Sequence, residues 1–216
     1  MQEFNDAGRA MNIAVLASGE GTTLQAVLDA CASGRLAARV AVVISNNAAA
    51  GALRRARGAG VPTRHLSAAS AGGAGAQDQA LSKTLVEFAP DLVLLAGYMK
   101  RLGPLTLAHF AGRIINTHPA LLPQFGGQGM YGLNVHRAVL AAGLKMSGAS
   151  VHWVDENYDT GAVIAQVRVP VESGDSAQSL AARVQAAERE LVIEVLAAAA
   201  SGRLIPPQQR RASATS

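Results

Sequence analysis

Short apolar runs alternate with amphipathic helical patterns along the first half of the chain. Runs rich in valine, isoleucine and leucine predict strands over residues 12–17, 39–45, 61–66, 91–96 and 113–116. Helical spacing predicts helices over 22–32, in the alanine- and arginine-rich segment that ends near 59, and over 77–88. Segment 68–76 is almost entirely alanine, glycine and serine, which predicts a flexible loop. Alternating strands and helices indicate a parallel sheet with helices on both faces.

The pattern changes in the second half of the chain. Two strand-like runs, 147–155 and 162–169, are joined by a short acidic turn and predict a hairpin. A long helix follows over 176–199, with Asp175 or Ser176 as its N-cap. The fold class predicted is therefore α/β, a Rossmann-like and mostly parallel sheet with a C-terminal antiparallel hairpin.

Composition narrows the class of protein. Of the 216 residues, 50% are hydrophobic and 16% charged, as in a globular chain. We expect a single domain over 11–204, preceded by an extension over 1–10 and followed by a disordered tail over 205–216. No secretory signal or membrane-spanning run is evident, and Cys31 has no partner for a disulfide. These features predict a cytoplasmic protein without a membrane anchor.

The net charge of +4 could indicate a protein that binds nucleic acid. Basic residues are scattered, and only 4% of the chain is aromatic, so neither a basic stripe nor stacking platforms are present. We therefore predict attraction for small anions and no nucleic-acid partner. No histidine and cysteine cluster has metal-ligand spacing, so no metal is expected.

A glycine-rich turn follows the first predicted strand directly and opens the first helix. Its sequence is Ser18-Gly19-Glu20-Gly21-Thr22-Thr23. Glycines allow a close backbone approach, and the helix start offers free amide donors, so the turn suits a phosphate. It matches neither the dinucleotide fingerprint nor the Walker A loop. The alternative is a plain turn capped by Thr22, and the turn alone does not decide between them. Glu20 is expected to point away from a bound phosphate.

A second chemical feature comes after the fifth predicted strand. Asn116 and His118 stand two apart in an extended segment, so their side chains face the same way. Side by side, a carboxamide and an imidazole can stabilise an oxyanion and move a proton. Pro119 and Pro123 stiffen the backbone there.

The remaining histidines give less indication of a function. We interpret His65, His109 and His136 as surface or cap residues, whereas His152 alternates on a strand and could face the site. The acidic turn 155–161 offers carboxylates for His118, but spacing alone does not say which of them, if any, pairs with it.

Four segments in order resemble phosphoribosylglycinamide formyltransferases, the folate-dependent family of purine synthesis. They read S-G-E-G-T-T-L-Q-A, L-A-G-Y-M-K-R-L, I-N-T-H-P-A-L-L-P and V-D-E-N-Y-D-T-G, and the likeness runs from about 11 to 204. The resemblance implies the formyltransferase fold, in a monomer or homodimer. It also implies transfer of the formyl group of 10-formyltetrahydrofolate to the amine of 5-phosphoribosylglycinamide, through a tetrahedral intermediate.

The resemblance also implies roles for residues. Asn116, His118 and Asp159 would be catalytic: Asn116 and protonated His118 would stabilise the oxyanion, and Asp159 would raise the pKa of His118. Substrate contacts would come from Gly21, Thr22, Thr23, Gln185 and Glu188. The folate would contact Met99, Lys100, Arg101, Leu102, Asn116, Asp155, Glu156, Asn157, Tyr158 and Asp159.

The chain departs from the family pattern at two sites. Thr23 stands where asparagine is usual, and Ala74 stands about where some members place an arginine near the folate. Lys100 and Arg101 are candidates to supply that cation for the glutamate tail of folate. The glycine-rich segment 126–132 is expected to form a mobile flap.

Three other functions are alternatives to this formyl transfer. Formyltetrahydrofolate hydrolase would use water in place of the amine, but that family usually has a further N-terminal domain. Methionyl-tRNA formyltransferase usually has a C-terminal domain for tRNA. A non-catalytic nucleotide-binding module would keep the glycine turn without needing Asn116, His118 and Asp159 together.

Overall fold

A single seven-stranded sheet runs through the computed structural model, which describes residues 9–206. In chain order the strands are β1 (Met11–Leu16), β2 (Ala38–Ser45), β3 (Thr63–His65), β4 (Leu92–Leu95), β5 (Ile114–His118), β6 (Met146–Trp153) and β7 (Val163–Pro170). The helices are α1 (Thr22–Ala32), α2 (Gly51–Gly58), α3 (Ala68–Ala71), α4 (Ala74–Phe88), α5 (Pro104–His109), α6 (Leu133–Ala141) and α7 (Ala177–Ala200).

The strand order across the sheet is β3-β2-β1-β4-β5-β6-β7. The first five strands are parallel, whereas β6 runs antiparallel to β5 and pairs with β7 in an antiparallel hairpin. The predicted fold class is confirmed. Because β1, β4 and β5 are parallel neighbours, the segments that follow them meet at one edge of the sheet.

Both faces of the sheet are buried, as the unbroken apolar runs of its central strands require. On β1, Ile13 and Val15 face a core shared with α1 and α7, and Ala14 and Leu16 face a second core closed by α4. Ser176 caps α7 by accepting a hydrogen bond from the Ser179 amide, which confirms one of the two predicted caps. This rigid sheet positions the loops at its carboxyl edge.

The prediction of a flexible loop over 68–76 is wrong. Ser67 and Ser70 form a reciprocal capping box that starts α3, and α4 already begins at Ala74. Alanine favours helix once such a cap is present, so the composition was misleading. Helices α5 and α6 were not predicted either.

The extension over 1–10 and the tail over 205–216 lie outside the described residues, apart from 9, 10, 205 and 206. Within 9–206, no helix is both long enough and apolar enough to cross a membrane.

Candidate active site

Asn116 and His118 are the third and last residues of β5, not part of a loop beyond it. Their side chains share one face of the strand, as the spacing predicted. On the neighbouring strand, His152 is the register partner of Asn116. The antiparallel pairing thus adds an imidazole beside the amide.

Asp159, in the turn between β6 and β7, joins the group from the other side. One carboxylate oxygen, Oδ2, lies 3.4 Å from Nδ1 of His118. The other, Oδ1, lies 3.4 Å from Nδ2 of Asn116. The three residues that the resemblance marked as catalytic are therefore brought together, and a strand pair with one turn is enough to do it.

His152 orients the Asn116 amide. Its Nδ1 lies 2.8 Å from the backbone oxygen of Trp153, which can only accept a hydrogen bond, so Nδ1 carries the proton. With the proton on Nδ1, Nε2 can accept a hydrogen bond, and it lies 3.0 Å from Nδ2 of Asn116 and 3.5 Å from Oδ1 of Asp159. His152 is 2% exposed, and the expectation that it could face the site is confirmed. Sequence alternation on β6 was the signal.

The His118 imidazole lies between two acceptors. Nε2 donates to the backbone oxygen of Phe125 over 2.7 Å, and Nδ1 faces Asp159. Burial lowers the pKa of His118, and neighbouring His152 acts the same way, whereas Asp159 and the Phe125 carbonyl raise it; the net pKa lies below its ordinary value. The expected contribution of Asp159 therefore has the right direction, but burial outweighs it in the net pKa.

Asp159 is held in an uncommon backbone conformation, with φ 56. Its Oδ2 accepts a hydrogen bond of 2.9 Å from the Gly127 amide. Burial raises the pKa of Asp159, but contacts with His152, the Gly127 amide and His118 together outweigh it and the net pKa is lowered. The carboxylate is thus ionised and fixed in place beside both histidines.

The glycine turn at the start of α1 has the features of an anion cradle. Gly21 is the N-cap with φ 74, no side chain caps the helix, and no acidic residue stands in its first turn. Thr22 and Thr23 are its first two residues, and Thr22 is exposed. The predicted cap role of Thr22 is wrong, because Gly21 occupies that position. The first amides of α1 are therefore open to a ligand.

Glu20 points away from this cradle, as expected. Its carboxylate packs against Gly51, the first residue of α2, where an added side-chain carbon would lie 2.7 Å from Oε2. It also lies 3.7 Å from the guanidinium of Arg54. Arg55 donates to the Glu20 backbone oxygen over 2.8 Å and ties the turn to α2.

Two adjoining cavities open beside the Asn116–His118–Asp159 group. The smaller is lined by Asn116, His152 and Asp159 together with Leu95, Tyr98, Lys100, Arg101, Leu102, Val154, Asp155, Glu156, Asn157 and Tyr158. The larger, of ≈ 920 Å³, lies between α5 and the β6–β7 turn and shares five of those residues, among them Arg101, Leu102 and Glu156. Met99 lines neither cavity and is 47% exposed. Every other residue expected to contact folate lines the smaller cavity.

Gln185 and Glu188, on α7, do not join this group. Gln185 is exposed, whereas Glu188 is 8% exposed and accepts a hydrogen bond from the Thr117 hydroxyl. Thr117 stands between Asn116 and His118, so its side chain lies on the opposite face of β5. Burial raises the pKa of Glu188, and the Thr117 hydrogen bond acts against that shift.

His136 corrects a prediction. It was interpreted as a surface or cap residue, but it is 1% exposed on α6 and its Nδ1 has no hydrogen-bond partner within 9–206. Burial lowers its pKa, and the charge of nearby His118 lowers it further. The apolar neighbours Val135 and Val139, one turn apart, were the signal that α6 buries this face.

Among the described residues, no three histidine, cysteine or acidic side chains are grouped to hold a metal ion. The site therefore consists of an amide, two imidazoles and a carboxylate beside the smaller cavity, with the glycine turn on the other side of β4.

Comparisons with known proteins identify the family. A model of the formyl transferase family matches residues 11–196. Phosphoribosylglycinamide formyltransferase of Escherichia coli (strain K12) is 43% identical over 194 residues, which cover 90% of this chain and 89% of that protein. The crystal structure of glycinamide ribonucleotide transformylase 1 from Symbiobacterium toebii superposes with a TM-score of 0.86 at 42% identity, covering 95% of each chain.

A formyltetrahydrofolate deformylase from Pseudomonas syringae pv. tomato has a similar fold, with a TM-score of 0.82 at 27% identity. The match covers 94% of this chain and 66% of that one.

The chain belongs to the formyl transferase family, whose members use formyl folate as one-carbon donor. It is a group-transferring enzyme, and the resemblance to phosphoribosylglycinamide formyltransferases that its motifs indicated is confirmed.

Proposed function

We propose that the enzyme transfers the formyl group of 10-formyltetrahydrofolate to the amine of 5-phosphoribosylglycinamide, with Asn116, His118 and Asp159 as the catalytic residues. The observation that carries the proposal is the meeting of these three side chains at the end of β5, with Asp159 3.4 Å from both partners. The relatives' names supply the acceptor.

The two substrates suit separate parts of the sheet edge, one after β1 and one beside β4, β5 and β6. The open amides of Gly21, Thr22 and Thr23 suit the ribose phosphate. The two adjoining cavities suit the folate, whose rings are flat and largely apolar. Only the resemblance assigns Gln185 and Glu188, on α7, to the ribonucleotide, because the Glu188 carboxylate is buried against Thr117 on the opposite face of β5.

The reaction needs hydrogen-bond donors that stabilise a developing negative charge, and an acceptor for the proton that the amine loses. The amine nitrogen attacks the formyl carbon, and the carbonyl electrons move to oxygen to give the oxyanion of a tetrahedral intermediate. Asn116 and the His118 imidazolium donate hydrogen bonds to that oxyanion. A water molecule accepts the proton that the amine nitrogen loses. The bond to N10 of the folate then breaks, and N10 takes up a proton to give tetrahydrofolate.

Burial of His118 lowers its pKa, so the imidazolium needs a neighbouring negative charge to stabilise it. The Asp159 carboxylate beside Nδ1 favours the charged ring, and a developing oxyanion beside Nε2 would favour it further. The electrostatic gain therefore comes when charge develops on the formyl oxygen, as transition-state stabilisation requires.

The Phe125 carbonyl accepts the hydrogen bond from Nε2 of His118, the nitrogen that would donate to the oxyanion. For Nε2 of His118 to reach the substrate, its 2.7 Å hydrogen bond to Phe125 must open. Phe125 precedes the glycine-rich segment 126–132 and has φ 55, so its peptide lies at a turn. We assign this segment the role of a flap that releases His118 when folate binds.

The test is tetrahydrofolate release by the purified enzyme with and without 5-phosphoribosylglycinamide. We expect release to require the ribonucleotide, and to fall by about a thousandfold in His118→Ala, as loss of a charge-stabilising donor does elsewhere. His65→Ala, an exposed histidine on β3, is the control. Release that proceeds equally without the ribonucleotide would instead assign the hydrolase reaction.

A further inference from the structure

Ser18 connects the phosphate turn to the wall of the folate cavity. Its hydroxyl accepts a hydrogen bond of 2.8 Å from the Met99 amide and donates one of 2.5 Å to Oδ1 of Asn46. Ser18 lies between β1 and α1, Asn46 just beyond β2, and Met99 between β4 and α5. One hydroxyl group therefore joins three loops of the sheet edge.

The backbone of Ser18 belongs to the same network. Its amide donates to the Gly97 oxygen over 3.1 Å, and its oxygen accepts from the Asn47 side chain over 3.2 Å. All the polar groups of Ser18 are thus engaged. The backbone bond to Gly97 does not depend on the side chain, so losing the hydroxyl should leave the two loops adjacent but less firmly fixed.

The two loops that Ser18 joins hold different substrates in the function proposed above. Ser18 is followed at once by the turn that suits the ribose phosphate. Met99 is followed by Lys100, Arg101 and Leu102, which line the cavity assigned to folate. Strand β4 lies between β1 and β5, so this hydroxyl is a link from the phosphate turn toward the Asn116 side of the edge.

We propose that Ser18 is a positioning residue for formyl transfer, whose hydroxyl fixes the distance between the ribonucleotide and the folate when both are bound. This inference rests on the proposed function. Transfer requires the amine nitrogen and the formyl carbon to approach within about 3–3.5 Å, and a displacement of about 1 Å can reduce the rate about 100-fold. A hydroxyl that ties the two binding loops together acts on that distance and not on either substrate alone.

The experiment compares the wild-type enzyme with Ser18→Ala. Calorimetry measures the binding of 5-phosphoribosylglycinamide alone and of tetrahydrofolate alone, and steady-state kinetics measures kcat of transfer. We expect each dissociation constant to change by less than about threefold, while kcat falls by about tenfold or more. Ser18→Thr keeps the hydroxyl and should recover most of kcat.

Two further variants separate positioning from local folding. Asn46→Ala removes the acceptor that orients the Ser18 hydroxyl. The kcat of the double variant, Ser18→Ala with Asn46→Ala, should be no lower than that of Ser18→Ala alone. Ser33→Ala, at the other end of α1, removes a hydroxyl whose one hydrogen bond within residues 9–206 goes to the Ala30 oxygen, and it should retain wild-type kinetics.

Two results would overturn the inference. Weaker binding of the ribonucleotide alone to Ser18→Ala, in proportion to the loss of kcat, would mean that the hydroxyl only folds the phosphate turn. An unchanged kcat would mean that the loops hold their spacing without it. Failure of the wild-type enzyme to transfer any formyl group would reject the proposed function itself, and this inference with it.

Discussion

Nε2 of His152 lies 3.0 Å from the amide nitrogen of Asn116, and the proton on Nδ1 of His152 is committed to the Trp153 oxygen. The amide of Asn116 is therefore turned with its NH2 group toward His152. The second N–H of the same nitrogen faces Oδ1 of Asp159 at 3.4 Å, a long contact that a substrate oxyanion would replace. In the proposed mechanism, His152 acts through Asn116 and does not touch the reacting atoms.

Replacing His152 should therefore reduce kcat more than it changes KM. In His152→Phe the Asn116 amide loses its acceptor and can rotate, and we expect kcat to fall by about tenfold or more, since a lost oxyanion donor costs about 100- to 1000-fold. His152→Gln keeps a hydrogen-bond acceptor and should recover part of the loss. Equal rises in both KM values with unchanged kcat would contradict this role.

Much of the site could be predicted because it depends on short-range patterns. The two-residue spacing of Asn116 and His118 on β5, and the alternation that directs His152 inward, are consequences of strand geometry. Asp159 was different. It lies 41 residues beyond His118 in the numbering, and only the family resemblance linked the two; local spacing carries no information on such a contact.

The features that the sequence left unpredicted have physical reasons. Helix α5 spans six residues, too few to show a periodic apolar stripe. Helix α3 depends on a capping box between two serines, which the usual serine-to-glutamate signature does not describe. The Phe125 hydrogen bond to His118 involves a backbone carbonyl, which no side-chain pattern can indicate.

Two glycines at the ends of α1 offer a matched test of the phosphate turn. Gly21 and Gly34 both have φ 74, so alanine brings similar backbone strain at each. At Gly21 the new carbon would also lie 2.7 Å from Cα of Ala52, whereas at Gly34 nothing lies within 4 Å. We expect Gly21→Ala to raise KM for the ribonucleotide about tenfold as the turn shifts, with KM for the folate unchanged.

Gly34→Ala is the control for strain alone. It should lower stability by about 1–2 kcal/mol and leave both KM values near those of the wild-type enzyme. If the two variants have the same KM for the ribonucleotide, the turn does not bind the phosphate.

Lys100 tests the source of positive charge for the glutamate tail of folate. It is exposed and lines the smaller cavity, whereas Arg101 donates to the backbone oxygen of Glu156. We expect Lys100→Glu to raise KM for 10-formyltetrahydrofolate by about two- to fivefold, since exposed ion pairs contribute up to about 1 kcal/mol. Lys145→Glu, exposed just before β6, should not change it. An equal KM in the two variants would remove Lys100 from the folate site.

Stability should fall on mild acidification. Burial lowers the pKa values of His118 and His136, so below about pH 6.5 the unfolded chain takes up protons that the folded chain does not. The free energy of unfolding therefore decreases as pH falls through that region. Urea unfolding at pH 8 and at pH 5.5 measures the difference. His136→Leu should reduce the pH dependence, and an unchanged dependence in that variant would show that His136 takes up its proton equally in the folded and unfolded states.

In the proposed reaction, a formyl group passes from folate to the amine of the ribonucleotide. The most direct measurement follows formylated ribonucleotide and tetrahydrofolate together, by mass spectrometry and absorbance, in one reaction of the purified enzyme. We expect the two products to appear one for one, and both to be lost in His118→Ala. Tetrahydrofolate released with free formate, and no formylated ribonucleotide, would contradict it.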